Sequence, residues 1–376
     1  MSARASIRSL EVLSLDIPFR RTFAHAGNAH ASARPQLVRL TLSDGTVGWG
    51  EAQPREYVTG ESIASVHQTV QTLDAEWRGR ELEGLESAAM LARSAPMRLT
   101  APAAFAGVEL ALLDAAGRLD GRNVTEILGS IKTDTLVYDG AVLGFLPAAA
   151  FAMALAYIRR LGKTSVKLKV GRPDDRERVE TARRILGGNM RIVLDANAAW
   201  TADEAIANIR ALDDLGIDLV EQPVARDDFE GMAAVRAAVR PRIMADESLC
   251  TIDDARELLA LRAADVWNVR IGKCGGLLAA VELLDLARAS SIECHLGVMV
   301  GETGIAGTAG RLLAVCRPDL RHLEFDESGN AVGDILREPL APIRGLRAPP
   351  PPLHPGLGFE VDAAAVDRLR DGKAAA

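Results

Sequence analysis

The stretch SVKLKVG at 165–171 puts two lysines where a buried strand would carry apolar side chains. Lys167 and Lys169 alternate with Val166, Leu168 and Val170, so in a strand both ammonium groups project to one face. Three acids follow at a matching interval. VLDAN carries Asp195, LVEQP carries Glu221 and IMADES carries Asp246, each straight after an apolar run, and VWNVRIGK ends on Lys273. The steps from Lys169 through Asp195, Glu221 and Asp246 to Lys273 are 26, 26, 25 and 27 residues. A lone acid at a strand end is commonly a helix cap or a surface residue. Five charged residues on one period are something else, because each step matches one βα unit and sets them at the C-terminal ends of five successive strands.

Three carboxylates facing one centre repel each other unless a cation lies between them. Oxygen ligands from three strands, with room left for water and substrate, suit Mg²⁺, with Mn²⁺ as a substitute. Zinc is disfavoured, since no histidine or cysteine falls at these places. Beside Lys167 and a divalent ion, Lys169 is expected to have a lowered pKa and to accept a proton near neutral pH. Lys273, expected at the end of the sixth strand, would face it across the mouth as a second acid/base group. Such a set suits removal of a proton α to a carboxylate, with the metal holding the carboxylate and stabilising the enediolate.

The elements that must position these residues are legible from periodicity. Residues 6–18, 36–42 and 46–51 read as strands, with Asp44-Gly45 as a hairpin turn between the last two. Helical patterns at 62–77, 87–95 and 101–118 follow, so the first 130 or so residues form an α+β unit. From about 135 onward eight strand candidates alternate with helices at 147–161, 175–186, 202–215, 229–239, 252–261, 277–289 and 305–315. That alternation predicts a parallel sheet closed into a barrel. A doubly wound open sheet is the alternative, but no GxGxxG follows an early strand. The tail, APPPPLHPGLGFEVDAAAVDRL, reads as a proline-rich connector and a short piece packing back on the first unit.

Composition narrows the classes. The chain has 376 residues, 48% hydrophobic and 25% charged, with a net charge of −7. It can bury a large core, and its charge argues against binding nucleic acid through phosphates. No signal-like or membrane-spanning apolar run appears. Cys250, Cys274, Cys294 and Cys316 fall singly and are expected reduced, in a cytoplasmic protein without membrane or nucleic-acid partners.

As a set, KLK at 167–169, DAN at 195–197, EQP at 221–223, DES at 246–248, KCGG at 273–276, GET at 301–303 and the terminal PGLGFEVD resemble the enolase superfamily. Within it the resemblance is to the mandelate racemase/muconate lactonizing enzyme family, in particular its muconate-lactonizing-enzyme-like subgroup. It implies an α+β capping domain from residues 1–132, a modified (β/α)7β TIM barrel over 133–345, and a tail, 346–376, on the cap. It also implies Mg²⁺ on Asp195, Glu221 and Asp246, with Asn197 and Glu247 beside the metal shell. Lys169 and Lys273 would be acid/base catalysts, with Lys167 tuning Lys169. Cap loops at 20–28 and 54–59 would cover the mouth and help select the substrate, and symmetric homo-oligomers are expected. The mandelate-racemase subgroup uses a histidine on the seventh strand. His295 lies early in that strand and is read instead as a partly buried histidine.

The same constellation serves racemisation or epimerisation, cycloisomerisation of a muconate, and dehydration to an o-succinylbenzoate-like product. RHLEFDESG at the eighth strand is the discriminator. Dipeptide epimerases of the subgroup carry a DxD there that holds the substrate's ammonium. This chain has Glu324 and Asp326, an ExD whose two carboxylates share a face and could receive a cation. The expectation is therefore Mg²⁺-dependent racemisation or epimerisation of an amino-acid- or dipeptide-type carboxylate. Glu302, Tyr57 and Arg55 are further candidate substrate contacts, with Arg20 and Arg21. Muconate cycloisomerisation or dehydration is the runner-up, and a barrel that only binds a metabolite is the remote alternative.

Overall fold

The computed structural model describes residues 4–25, 28–324 and 332–370. In the cap, strands Gln36–Leu42 and Val47–Ala52 pair antiparallel around the Asp44-Gly45 turn. Gly45 takes φ 92°, and Asp44 Oδ1 accepts from the Thr46 N–H at 2.9 Å, which is the turn chemistry these residues favour. Ala5–Ser14 pairs on the other side of Gln36–Leu42, and Glu81–Leu82 completes a four-stranded sheet. Helix Pro102–Asp120 packs on this sheet with its small face, Gly107, Ala111 and Ala115. A Cβ at Gly48 would stand 2.2 Å from the Ala111 carbonyl, and one at Gly50 1.9 Å from that of Gly107. Only glycine permits so close an approach of helix to strand.

Of residues 20–28, expected as loop, those described belong instead to the strands of a second antiparallel hairpin, Ile17–His25 with Asn28–Ala33. The run lacks a clean apolar alternation because it has no core of its own to face. What supports it is contact with the barrel: Phe19 and Ala33 lie against Gly301.

The barrel strands are Gly140–Leu143, Ser165–Lys169, Arg191–Asp195, Leu219–Glu221, Arg242–Ala245, Val266–Val269, Glu293–Leu296 and Leu320–Leu323. They pair parallel in sequence order, each with the next, as the alternation predicts. Seven helices of nine residues or more run between them, from Ala148–Arg160 to Gly304–Cys316. Thr201 and Thr251 start two of these with reciprocal caps from Glu204 and Asp254, a signal visible in the sequence. Inside the barrel Val193, Leu219, Met244 and Val266 form one apolar cluster. Two residues beyond them stand Asp195, Glu221, Asp246 and Asn268. Alternate residues of a strand share a face, so burying the first set delivers the second to the mouth.

Buried carboxylates fasten the cap to the barrel. Glu51 accepts from the Thr303 and Ala306 N–H groups at the start of helix Gly304–Cys316, at 2.9 and 3.2 Å. Glu109 does the same for Leu277 and Leu278, at the start of a helix with no side-chain cap of its own. Burial nonetheless pushes Glu109 up to about 8. The tail returns to the cap: Asp16 N–H donates to the Leu369 carbonyl at 2.9 Å, and Arg118 reaches Glu360 at 2.8 Å. Among the described residues no helix is long and apolar enough to cross a membrane. All four cysteines are free and buried.

Candidate active site

The spacing of 26 residues has a structural meaning. Lys169, Asp195 and Glu221 are direct cross-strand partners in one register row. The fifth strand pairs Met244 with Glu221, so Asp246 stands two residues further toward the mouth. All four side chains are buried. Lys169 Nζ lies 2.6 Å from Asp195 Oδ2 and 2.6 Å from Asn197 Oδ1, and Asn197 passes the contact on to Glu247 Oε1 at 3.1 Å. Lys167, one layer deeper, lies 2.5 Å from Glu221 Oε2 and also bonds Glu324. The Lys169 backbone is fixed by Arg178, which donates to its carbonyl at 2.6 Å and stacks on Phe145 and Phe151.

These contacts revise the electrostatic expectation for Lys169. Burial disfavours its charged form, but the carboxylates of Asp195 and Glu221 outweigh burial and hold the pKa above the ordinary lysine value. Lys167 does not press on Lys169 as a bare cation, since Glu221 and Glu324 balance it. Glu247 shows the opposite case: burial, with Asp246 and Asp195 nearby, pushes it up to about 8.

Lys273 is not at a strand end. The sixth strand stops at Val269, and Lys273 lies in the short helix Ile271–Cys274. It is fully buried, and Nζ donates to the backbone carbonyls of Asp246, at 2.7 Å, and Leu249. The side chain at the strand end is Arg270, which the sequence reading did not single out. Its Nη2 bonds Asp246 Oδ2 and lies 3.4 Å from Glu221 Oε1. Arg270 stands two residues beyond Asn268, whose Nδ2 donates to Glu221 Oε1 at 2.7 Å. Counting by two along VWNVR would have found both. Gln222 was also missed: its Oε1 accepts from the Asp246 and Ser248 N–H groups, each at 3.0 Å, and so seats DES beside EQP.

The expected substrate contacts fare unevenly. Glu324 already has a cation, Lys167, from within the chain. Asp326 lies outside the described residues. Arg55 donates to the Val300 carbonyl at 2.9 Å, pinning the 54–59 segment to the seventh loop, while Tyr57 beside it is exposed. Glu302 Oε1 accepts from the Met299 N–H at 2.7 Å within that loop. Arg20 is exposed, and the Arg21 side chain is outside the description.

The donor set suits a hard divalent cation. Asp246 Oδ1 and Glu247 Oε2 are buried without a hydrogen-bond partner, an expensive state for carboxylate oxygens unless a cation engages them, while Glu221 Oε2 is met by the Lys167 ammonium. Their charge is shared among Lys167, Lys169 and Arg270, which sit between the acids. Among the described residues, the tight group of three ligand atoms, within 4.8 Å of one another, is elsewhere: Glu293, His295 and His322 at the barrel floor. Arginines fence that group, Arg191 donating to His322 Nε2 at 2.6 Å and Arg242 to Glu293 at 2.8 Å. Burial holds His295 down to about 4, so it is a neutral residue of this group.

Comparison with known proteins places this barrel in a class. Residues 149–365 match the enolase C-terminal domain-like family, and residues 9–129 match the mandelate racemase/muconate lactonizing enzyme N-terminal domain. The chain belongs to the mandelate racemase/muconate lactonizing enzyme family of the enolase superfamily. It is 34% identical to the L-Ala-D/L-Glu epimerase of Bacillus subtilis, over 84% of this chain and 87% of that one. It is 30% identical to muconate cycloisomerase 1 of Rhodococcus opacus, over 96% and 97%. The solved dipeptide epimerase of Enterococcus faecalis, in complex with Mg and the dipeptide L-Leu-L-Tyr, superposes with a TM-score of 0.83 at 29% identity, covering 94% of this chain and 99% of that one.

Proposed function

We propose that this protein is a Mg²⁺-dependent racemase or epimerase that removes and returns the proton α to the carboxylate of an amino-acid- or dipeptide-type substrate. The observation that carries the reading is the buried row Lys169–Asp195–Glu221, with unpartnered oxygens on the neighbouring Asp246 and Glu247. Asp195, Glu221 and Asp246 would hold the ion, and Asn197 and Glu247 would steady Lys169 and the acids around it. Bound Mg²⁺ would fix the substrate carboxylate and offset the charge that builds there as the α-proton leaves. With those carboxylates engaged by the ion, the charge on Lys169 would lose their support, and its Nζ would take the proton. Lys167 keeps Glu221 and Glu324 balanced beneath the substrate. The exposed Tyr57 and the Arg55 segment border the entrance.

A second reading, single-base isomerisation of the muconate-cycloisomerase kind, is favoured by one observation. The far side of the mouth presents a guanidinium rather than an accessible amine. Incubation in D₂O with Mg²⁺ and a panel of dipeptides, N-acylated and N-methylated amino acids and muconates separates the two. Stereoinversion with deuterium at Cα is the expected result. Lactone formation without exchange assigns the second reading, and inertness toward the whole panel overturns both.

A further inference from the structure

The second and sixth strands are four apart in the nearly closed eight-stranded barrel, so residues at their mouth ends face each other across the site. Lys169 ends the second strand. Two cations follow the sixth, Arg270 and Lys273, and their surroundings are not alike. Lys273 is fully enclosed, and its ammonium is spent on the Asp246 and Leu249 carbonyls with Asp246 Oδ1 at 3.4 Å. Those carbonyls bracket the turn that carries Asp246 and Glu247. Arg270 comes off the strand on the inward side set by Asn268, and its Nη2 joins Asp246 to Glu221. Its Nε is buried without a hydrogen-bond partner, and its Nη1 lies 3.8 Å from Met299 Sδ.

We infer that Arg270, not Lys273, is the group facing Lys169 across the substrate, and that Lys273 is a positioning residue for the turn bearing Asp246. This rests on the α-proton reading above. Two consequences follow from donor chemistry. A guanidinium offers hydrogen-bond donors only and takes up no proton, so the far face stabilises charge, and the proton that completes inversion there comes from a water molecule rather than from a side chain. Its positive charge also lies against Glu221 and Asp246, where it competes with a divalent cation for the same oxygens.

The test has two arms. The first needs no substrate: Mn²⁺ binding is titrated by calorimetry and electron paramagnetic resonance on the folded full chain. Arg270→Met should bind Mn²⁺ about tenfold more tightly than the wild type, because a competing cation is gone. Lys273→Met should bind it more weakly, because the Asp246 turn loosens; Lys273→Arg, which keeps a buried donor, guards against simple misfolding. Unchanged or weaker binding by Arg270→Met overturns the placement of Arg270. The second arm measures, in D₂O, the ratio of α-deuterium exchange to inversion on whichever panel substrate reacts. Arg270→Lys should shift the ratio toward inversion, since an amine can carry a proton in both directions. Lys273→Arg should leave that ratio alone while slowing both events together. Loss of inversion with exchange retained in Lys273→Arg would return the far-face role to Lys273. An unreactive panel counts against the proposed function alone, because the metal arm still decides the placement.

Discussion

The barrel holds two polar clusters, a buried one at the mouth and a partly exposed one at the floor, and they are built on different terms. At the floor, Asp139, Arg191, Arg242, Glu293, His295 and His322 pair off: Arg191 with His322, Arg242 with Glu293, His295 with Glu293, and Asp139 with His322 at 3.4 Å. None of their side-chain atoms is a buried orphan among the described residues. At the mouth, Asp246, Glu247, Asn268 and Arg270 each keep one. A cluster whose partners are all internal stabilises the fold. A cluster left incomplete at the cost of burial is one that expects a partner from outside.

The sharpest way to break this contrast is at Lys169. Lys169→Ala should lower kcat by about a thousandfold or more, with substrate affinity largely kept, as measured by steady-state kinetics on a reactive panel substrate. A small loss would mean that the mouth is not a reaction centre. Next comes Glu221→Gln, which removes one anionic oxygen from the incomplete cluster. Calorimetry should then show Mg²⁺ affinity falling by about a hundredfold, whereas Glu293→Gln at the floor should leave it unchanged.

The floor makes its own prediction, on stability. His295 is kept neutral by burial, with a folded value of about 4 against 6.5 for the free side chain. Its contribution is full above the free value and is lost as pH falls from 6.5 toward 4. The loss should reach on the order of 2–3 kcal/mol in denaturant titrations, and His295→Gln should flatten that slope. Asp139 and Glu293, both held below the ordinary carboxylate range by their His322 and His295 hydrogen bonds, should add to the acid sensitivity at still lower pH. The smallest effect concerns the cap. Burial raises Glu109, so its folded form prefers the proton and its contribution declines as pH rises from 4.5 toward about 8. Thermal melts of Glu109→Gln should lose this slope, its melting temperature staying level over that range while that of the wild type falls.

The eight strands and seven helices were legible because each carries its own signal: apolar runs bounded by turn residues, helices started by Thr201 and Thr251, a hairpin turned by Asp44-Gly45. The hairpin at Ile17–Ala33 was not, because it rests on Gly301 of a distant loop rather than on a pattern within itself. Among site residues, Lys169, Asp195 and Glu221 were readable since a parallel ladder turns equal spacing into one row. Lys273 misled because the chain leaves the sixth strand after Val269 and coils into a helical turn, so the same count of residues ends in the core.

What the sequence determined alone is therefore the period: one βα unit between charged residues, which compels them to one end of a barrel whatever the packing details. What only the tertiary structure decided is which cation meets which anion. Glu324 takes Lys167, Arg270 joins Glu221 to Asp246, and Lys273 turns inward to backbone carbonyls. Spacing along a strand fixes where a side chain begins. Where its charge comes to rest depends on the nearest opposite charge across the barrel, and that neighbour is brought by chain far away in sequence.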